Sequence, residues 1–167
     1  MDDALRADYL RDSAATLRKY RSLADQSLGR VTDARFFAVL DEESNSLAVL
    51  VKHMAGNLLS RWTDLLTTDG EKPWRDRDGE FEITPDDTRA GLMQRWEAGW
   101  AGAIGGLDAL APADLDRVIH IRGEPHGLVP AINRQVTHAA YHTGQIVFLA
   151  KHLHSAAWQS LSIPRRR

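Results

Sequence analysis

Apolar residues recur every three or four positions over four long stretches of this chain, and no stretch alternates with period two for long enough to build a sheet. The first stretch, about Asp3 to Leu28, places Leu10, Ala14, Leu17 and Leu28 on one side. The second begins near Asp41 to Asn45, where short polar side chains suit a helix N-terminus, and runs to about Leu66. It carries Leu47, Leu50, Val51, Met54, Leu58, Trp62 and Leu65 on a broad face. The third is predicted to start at Thr84, with Pro85 in the first turn and Asp86 and Asp87 at the positive end of the helix dipole. Leu92, Trp96, Gly99, Ala103, Leu107 and Leu110 follow at spacings of 4, 3, 4, 4 and 3, and the small residues among them allow close approach of a neighbouring helix. The fourth runs from about Leu128 to His152 with Leu128, Ile132, Val136, Ala139, Ile146 and Leu153 in one stripe.

The connections carry information too. Phe36, Phe37, Val39 and Leu40 make the segment after Gly29 too apolar for an idle linker and predict that it packs over one end of the core. From Thr67 to Thr84 the periodicity stops and Gly70, Pro73 and Gly79 stand among charged residues, a connection long enough to run back along a bundle. Around Gly123 a minor hairpin fits Val118, Ile119 and Ile121. The expected fold is therefore all-α, one four-helix-bundle domain over residues 1–167, up-down-down-up with a long crossover from the second helix to the third.

Composition narrows the function. With 21 Lys plus Arg and 23 Asp plus Glu in 167 residues, the formal charge is −2, which disfavours a general nucleic-acid binder. The start Met1-Asp2-Asp3 is acidic where a leader would be basic, and no apolar run suits a bilayer span, so no membrane partner and a cytoplasmic location are expected. The terminal Arg165-Arg166-Arg167 reads as a solvated end. Cysteine is absent, so any bound metal needs nitrogen or oxygen ligands.

Seven histidines provide such ligands. His138 and His142, four apart on the fourth helix, project from one face and toward its apolar stripe, a geometry in which two imidazoles grip one divalent ion. Chance alone supplies about 0.3 such pairs in a chain of this composition, so the apolar context matters more than the spacing. A catalytic site takes a third ligand; His53, at the stripe edge of the second helix, is the best candidate, with His120 and His126 as rivals. The competing reading makes these histidines ordinary edge or core residues satisfied by backbone or water. Gln145 and Asn57 are suitable hydrogen-bond partners for the rings in either case. Trp62, Trp74, Trp96, Trp100 and Trp158 could line a pocket but are expected mainly in the core, and Arg75, Arg77 or Arg122 could hold a substrate carboxylate bidentately but are expected on solvated surface.

The run Thr137-His138-Ala139-Ala140-Tyr141-His142-Thr143-Gly144-Gln145-Ile146 resembles the last-helix signature of the DinB/YfiT-like superfamily, and His53 in Lys52-His53-Met54-Ala55-Gly56-Asn57 matches the histidine of that superfamily's second helix. With Thr67-Thr68-Asp69-Gly70-Glu71-Lys72-Pro73-Trp74-Arg75 and Ile121-Arg122-Gly123-Glu124-Pro125-His126, the whole chain is most similar to the DUF1572 branch. The resemblance implies a four-helix bundle in which His53, His138 and His142 hold a divalent ion, zinc or nickel, and often a homodimer. It further implies a metal-dependent enzyme acting on a small-molecule substrate, such as a transferase using a low-molecular-weight thiol. A hydrolase, or a non-catalytic metal-binding bundle with a stress-response or binding role, is the alternative.

Overall fold

The computed structural model describes residues 2–163; Arg165-Arg166-Arg167 lie outside the described residues. Among the described residues there are five α-helices and one two-stranded sheet: α1 (Asp3–Leu28), α2 (Asp33–Phe36), α3 (Leu47–Trp62), α4 (Arg89–Ala109), β1 (Val118–Ile121), β2 (Glu124–Gly127) and α5 (Leu128–His154). The four long helices pack around one core. Helix α3 lies chiefly on α4 and α1 chiefly on α5, while contacts of α1 with α4 and of α3 with α5 close the ring. Within the described residues, no helix is long and apolar enough to cross a membrane.

The apolar stripes face inward as their periodicity requires. Leu17, Met54, Leu58, Leu107, Leu128, Ile132 and Ile146 are fully buried, with Trp96 and Trp100 packed edge to face at 5.5 Å between ring centroids. The Trp96 indole N–H donates to Asp25 Oδ1 at 2.8 Å and so ties α4 to α1. The small residues of α4 sit where α3 comes nearest. A Cβ on Gly99 would meet Leu58 Cβ at 3.1 Å and the Ala55 carbonyl at 3.2 Å, and one on Gly106 would lie 2.7 Å from the Trp62 ring.

Helix starts differ from the sequence expectation, in each case because a side chain is engaged elsewhere. Helix α4 begins at Arg89 rather than near Thr84: Thr88 caps it through the Gly91 N–H. The Thr84 N–H and hydroxyl both donate to Asp87 Oδ2 in a preceding turn, and that carboxylate also accepts from Lys52 Nζ of α3 at 2.8 Å. Likewise Asp41 accepts from the Glu43 N–H and the Ser44 hydroxyl in a turn, leaving Ser46 to cap α3. Helix α3 stops at Trp62, four residues before Leu66, where Thr63 turns extended and Asp64 adopts a left-handed φ of 50°. The segment after Gly29 does cover the core, through Val31, Phe36 and the half-buried Phe37; Arg89 stacks on Phe36, and Val39 and Leu40 are exposed.

The hairpin is a small β element in an otherwise helical chain. Its turn residues Arg122 and Gly123 both have positive φ, 58° and 76°, the backbone that two-residue hairpins favour because its twist matches the strands.

Close packing at α4 yields a paired prediction. Gly99→Leu should destabilise the fold by about 1–3 kcal/mol by overpacking against α3. Gly102→Ala, where a Cβ meets nothing within 4 Å, should raise stability by up to about 1 kcal/mol through helix propensity. Denaturant unfolding of the two variants checks both signs.

Candidate metal centre

Helices α3 and α5 bring His53, His138 and His142 together. One ring nitrogen from each lies within 4.8 Å of the others, and among the described residues no further His, Asp or Glu joins the group. His120 lies exposed on β1 and His126 on β2, so the hairpin keeps both rival ligands out of it. His152 and His154, at the end of α5, are likewise outside it.

Hydrogen bonds orient two of the three rings. His53 Nδ1 lies 2.9 Å from Glu80 Oε2 and His142 Nδ1 lies 2.7 Å from Gln145 Oε1. Both partners are acceptors, so each Nδ1 donates, and in the neutral ring that leaves Nε2 with the lone pair a metal needs. His53 Nε2 in turn lies 3.2 Å from His138 Nε2. Two nitrogens bound to one tetrahedral ion at about 2.0–2.1 Å sit about 3.3 Å apart, so the spacing fits a shared divalent ion. His138 Nδ1 is buried without a partner. Burial, with the charges of His142 and His53 next, pushes the His138 imidazole down to about 3, and burial lowers His142 against the pull of its Gln145 bond. Both rings are therefore neutral at pH 7, the form that binds metal.

Glu80 is the functional residue that the sequence reading did not single out. It lies in the 3-10 turn Gly79–Phe81 of the long connection, and its side chain is 4% exposed beside that of Arg75 at 3%. Arg75 Nε and Nη2 donate to its two oxygens at 2.8 and 2.9 Å while His53 occupies Oε2 as well. Burial pushes the Glu80 carboxyl up, but these bonds outweigh it and the net shift is downward, so the group stays ionised. Carboxylate–histidine pairs of this kind fix the tautomer and raise the basicity of a ligating ring. Gly56, one helical turn from His53 on α3, makes room for the carboxylate: a Cβ there would lie 2.0 Å from Glu80 Oε1.

The connection carrying Glu80 is pinned at several points. The Ser60 hydroxyl donates to the Gly70 carbonyl at 2.6 Å, and the Gly70 N–H donates to the His120 carbonyl at 2.8 Å. Asp69 accepts from the backbone N–H groups of Glu71, Arg122 and Gly123 at 2.6, 2.8 and 2.7 Å, bonds that hold its carboxyl down to about 2. The histidine cluster opens onto a cavity of about 400 Å³ between α3, the connection, the hairpin and α5. Trp62, Asn57 and Tyr141 line it as well; Gln145 does not, and Trp74 is exposed.

Over residues 4–167 the sequence matches the family described as protein of unknown function (DUF1572). The chain belongs to the DUF1572 family. Neither a curated protein nor a solved structure matches it significantly. The match covers nearly all of this DUF1572 chain, so the three histidines, Glu80 and the cavity all fall inside the family's extent.

Two predictions test how the DUF1572 loop is held. Glu80→Ala leaves the Arg75 guanidinium buried and short of its bidentate partner, and should cost about 3 kcal/mol or more in denaturant unfolding. Asp69 has a folded value of about 2 against an ordinary 3.8, so its contribution is complete above about pH 4 and fades as pH falls toward 2. The stability gap between wild type and Asp69→Ala should therefore close over that window, measured as melting temperature against pH.

Proposed function

We propose that this chain is a divalent-metal-binding protein of the DinB/YfiT-like type. In this reading the ring of four long helices is an up-down-down-up bundle, and His53, His138 and His142 hold zinc or nickel. The protein acts as a metal-dependent transferase of a low-molecular-weight thiol. The observation that carries the reading is the count and aim of the donors: three converging imidazoles with no fourth protein donor among the described residues, opening on a cavity. Structural zinc sites are usually closed by four ligands, whereas catalytic ones keep a position free. An ion held there supplies Lewis acidity, easing loss of the proton from a water or thiol in the free position.

The chain's own residues set the conditions for that chemistry. Glu80 keeps His53 in the Nδ1–H tautomer and Gln145 does the same for His142, so both rings present lone pairs on the cavity side. Neutral rings leave the full charge of the ion in place. Phe81, its ring centroid 4.8 Å from that of His53, covers one side of that donor. Because the protein has no cysteine, the reacting sulfur comes from a cosubstrate. In the transfer, the thiol gives its proton to solvent, its sulfur forms a bond to an electrophilic carbon, and the leaving group departs with the electrons of the bond that breaks.

Elemental analysis of the purified protein should find about one divalent ion per chain, and the His138→Ala, His142→Ala double variant should lose most of it. Chelation should lower the melting temperature without abolishing helical circular dichroism, since the core is already large. With the ion restored, glutathione, bacillithiol, mycothiol or coenzyme A should add to chlorodinitrobenzene faster than with His142→Ala prepared identically. Full occupancy in the double variant overturns the ligand assignment. Occupancy with equal rates in wild type and variant overturns the transferase reading and directs the next assay to ester and amide hydrolysis.

A further inference from the structure

The cavity beside the histidines is lined by Arg61, Arg75, Arg77, Arg122 and Arg134, and by no aspartate or glutamate. Two carboxylates behind the wall, Glu71 and Glu80, and one on the outer surface, Asp78, neutralise part of this charge. Glu71 is shared by Arg61, Arg75 and Arg122 at 3.1, 3.6 and 3.0 Å, Glu80 takes the remaining face of Arg75, and Asp78 pairs with Arg77. Five guanidinium groups thus face three carboxylates, and Arg134 has neither an ion pair nor a side-chain hydrogen bond among the described residues. Burial is the main reason that Arg61 is less basic than usual; the positive charges of Arg75 and Arg134 add to this, while Glu71 opposes it.

Trp62 and Gln135 line the cavity too, but Trp62 Nε1 and Gln135 Nε2 are buried without a partner and out of an occupant's reach, so the guanidinium groups are the charged donors that an occupant meets. Arg134 and His138 are four apart on α5 and share a face, about 6 Å apart along the axis.

We propose that this cavity recognises an anionic small molecule, its carboxylate or phosphate held by Arg134 and its reacting end directed toward the three histidines. The second half of that statement rests on the metal-centre reading above; the anion site itself does not. A planar guanidinium suits the paired oxygens of either group, and a site of this volume takes a molecule of metabolite size.

Isothermal titration of the chelated protein with succinate, inorganic phosphate and neutral succinamide tests the anion site without a metal to bind the probes. One or both anions should bind at least 10-fold more tightly than succinamide, and the tighter of the two identifies the group as carboxylate or phosphate. Arg134→Gln should weaken the favoured anion at least 10-fold with an unchanged melting temperature, because among the described residues the side chain makes no ion pair or hydrogen bond that folding would lose. Arg134→Lys should restore part of the affinity, since a point charge remains without the fork. These titrations use the chelated protein and need no turnover, so failure of the transferase reading leaves their result standing. Equal binding of succinamide and the anions, or undiminished binding by Arg134→Gln, overturns the proposal.

Discussion

The arrangement of the candidate site depends on one buried carboxylate. Glu80 sits between the Arg75 guanidinium and the His53 ring, with almost none of its side chain in contact with water. A charge in that position is tolerable only if its oxygens are filled, and three donors fill them. Filling them has geometric consequences. The connection between α3 and α4 must fold back onto α3, position 56 must lack a side chain, and the His53 ring must turn its Nε2 toward α5. The long crossing is therefore part of the site, and its Asp69, Glu71, Arg75 and Glu80 are wall and support rather than solvated linker.

This dependence explains what was legible in the sequence. Helical stripes were, because burial of an amphipathic face depends on residues three and four apart, which the chain displays directly. The grouping of His138 with His142 was legible for the same reason, and His53 lay at the edge of a stripe whose partner helix the pattern implied. Glu80 and Arg75 were not, since a charged residue paired across the fold looks the same in sequence as one in water, and the His53 to Glu80 contact spans 27 positions. One signal did exist: a glycine interrupts the apolar face of α3 at position 56, where helix propensity disfavours it, and such a cost points to a close approach by another group.

Helix boundaries were lost to the same competition. Asp87 and Asp41 have the chemistry of N-terminal helix residues, yet each carboxylate has better partners than the free N–H groups of a helix end. Asp87 bridges its own turn and Lys52 of α3, and these charge-assisted hydrogen bonds outweigh the weaker, solvent-screened attraction to a dipole. Local propensity was read correctly in kind and misplaced by about one turn, for Asp87 because the deciding partner lies on another element and for Asp41 because its own turn takes the carboxylate.

Net charge and local charge also part company here. A formal charge of −2 argues against binding a long polyanion, whose attraction sums over many phosphates. It says nothing of a cavity whose walls collect arginines while the acids lie behind them or on the outer surface. The two buried arginines, Arg61 and Arg75, act at short range and with little screening, and they work on the histidines too: they join burial and the neighbouring rings in keeping His138 unprotonated. The arginines that make the cavity attractive to an anion thus also keep that ring in the form that can donate to a cation. Protonated imidazoles would bind the anion without any metal; neutral ones leave room for a cation and an anion to share one small space, each lowering the energy of the other.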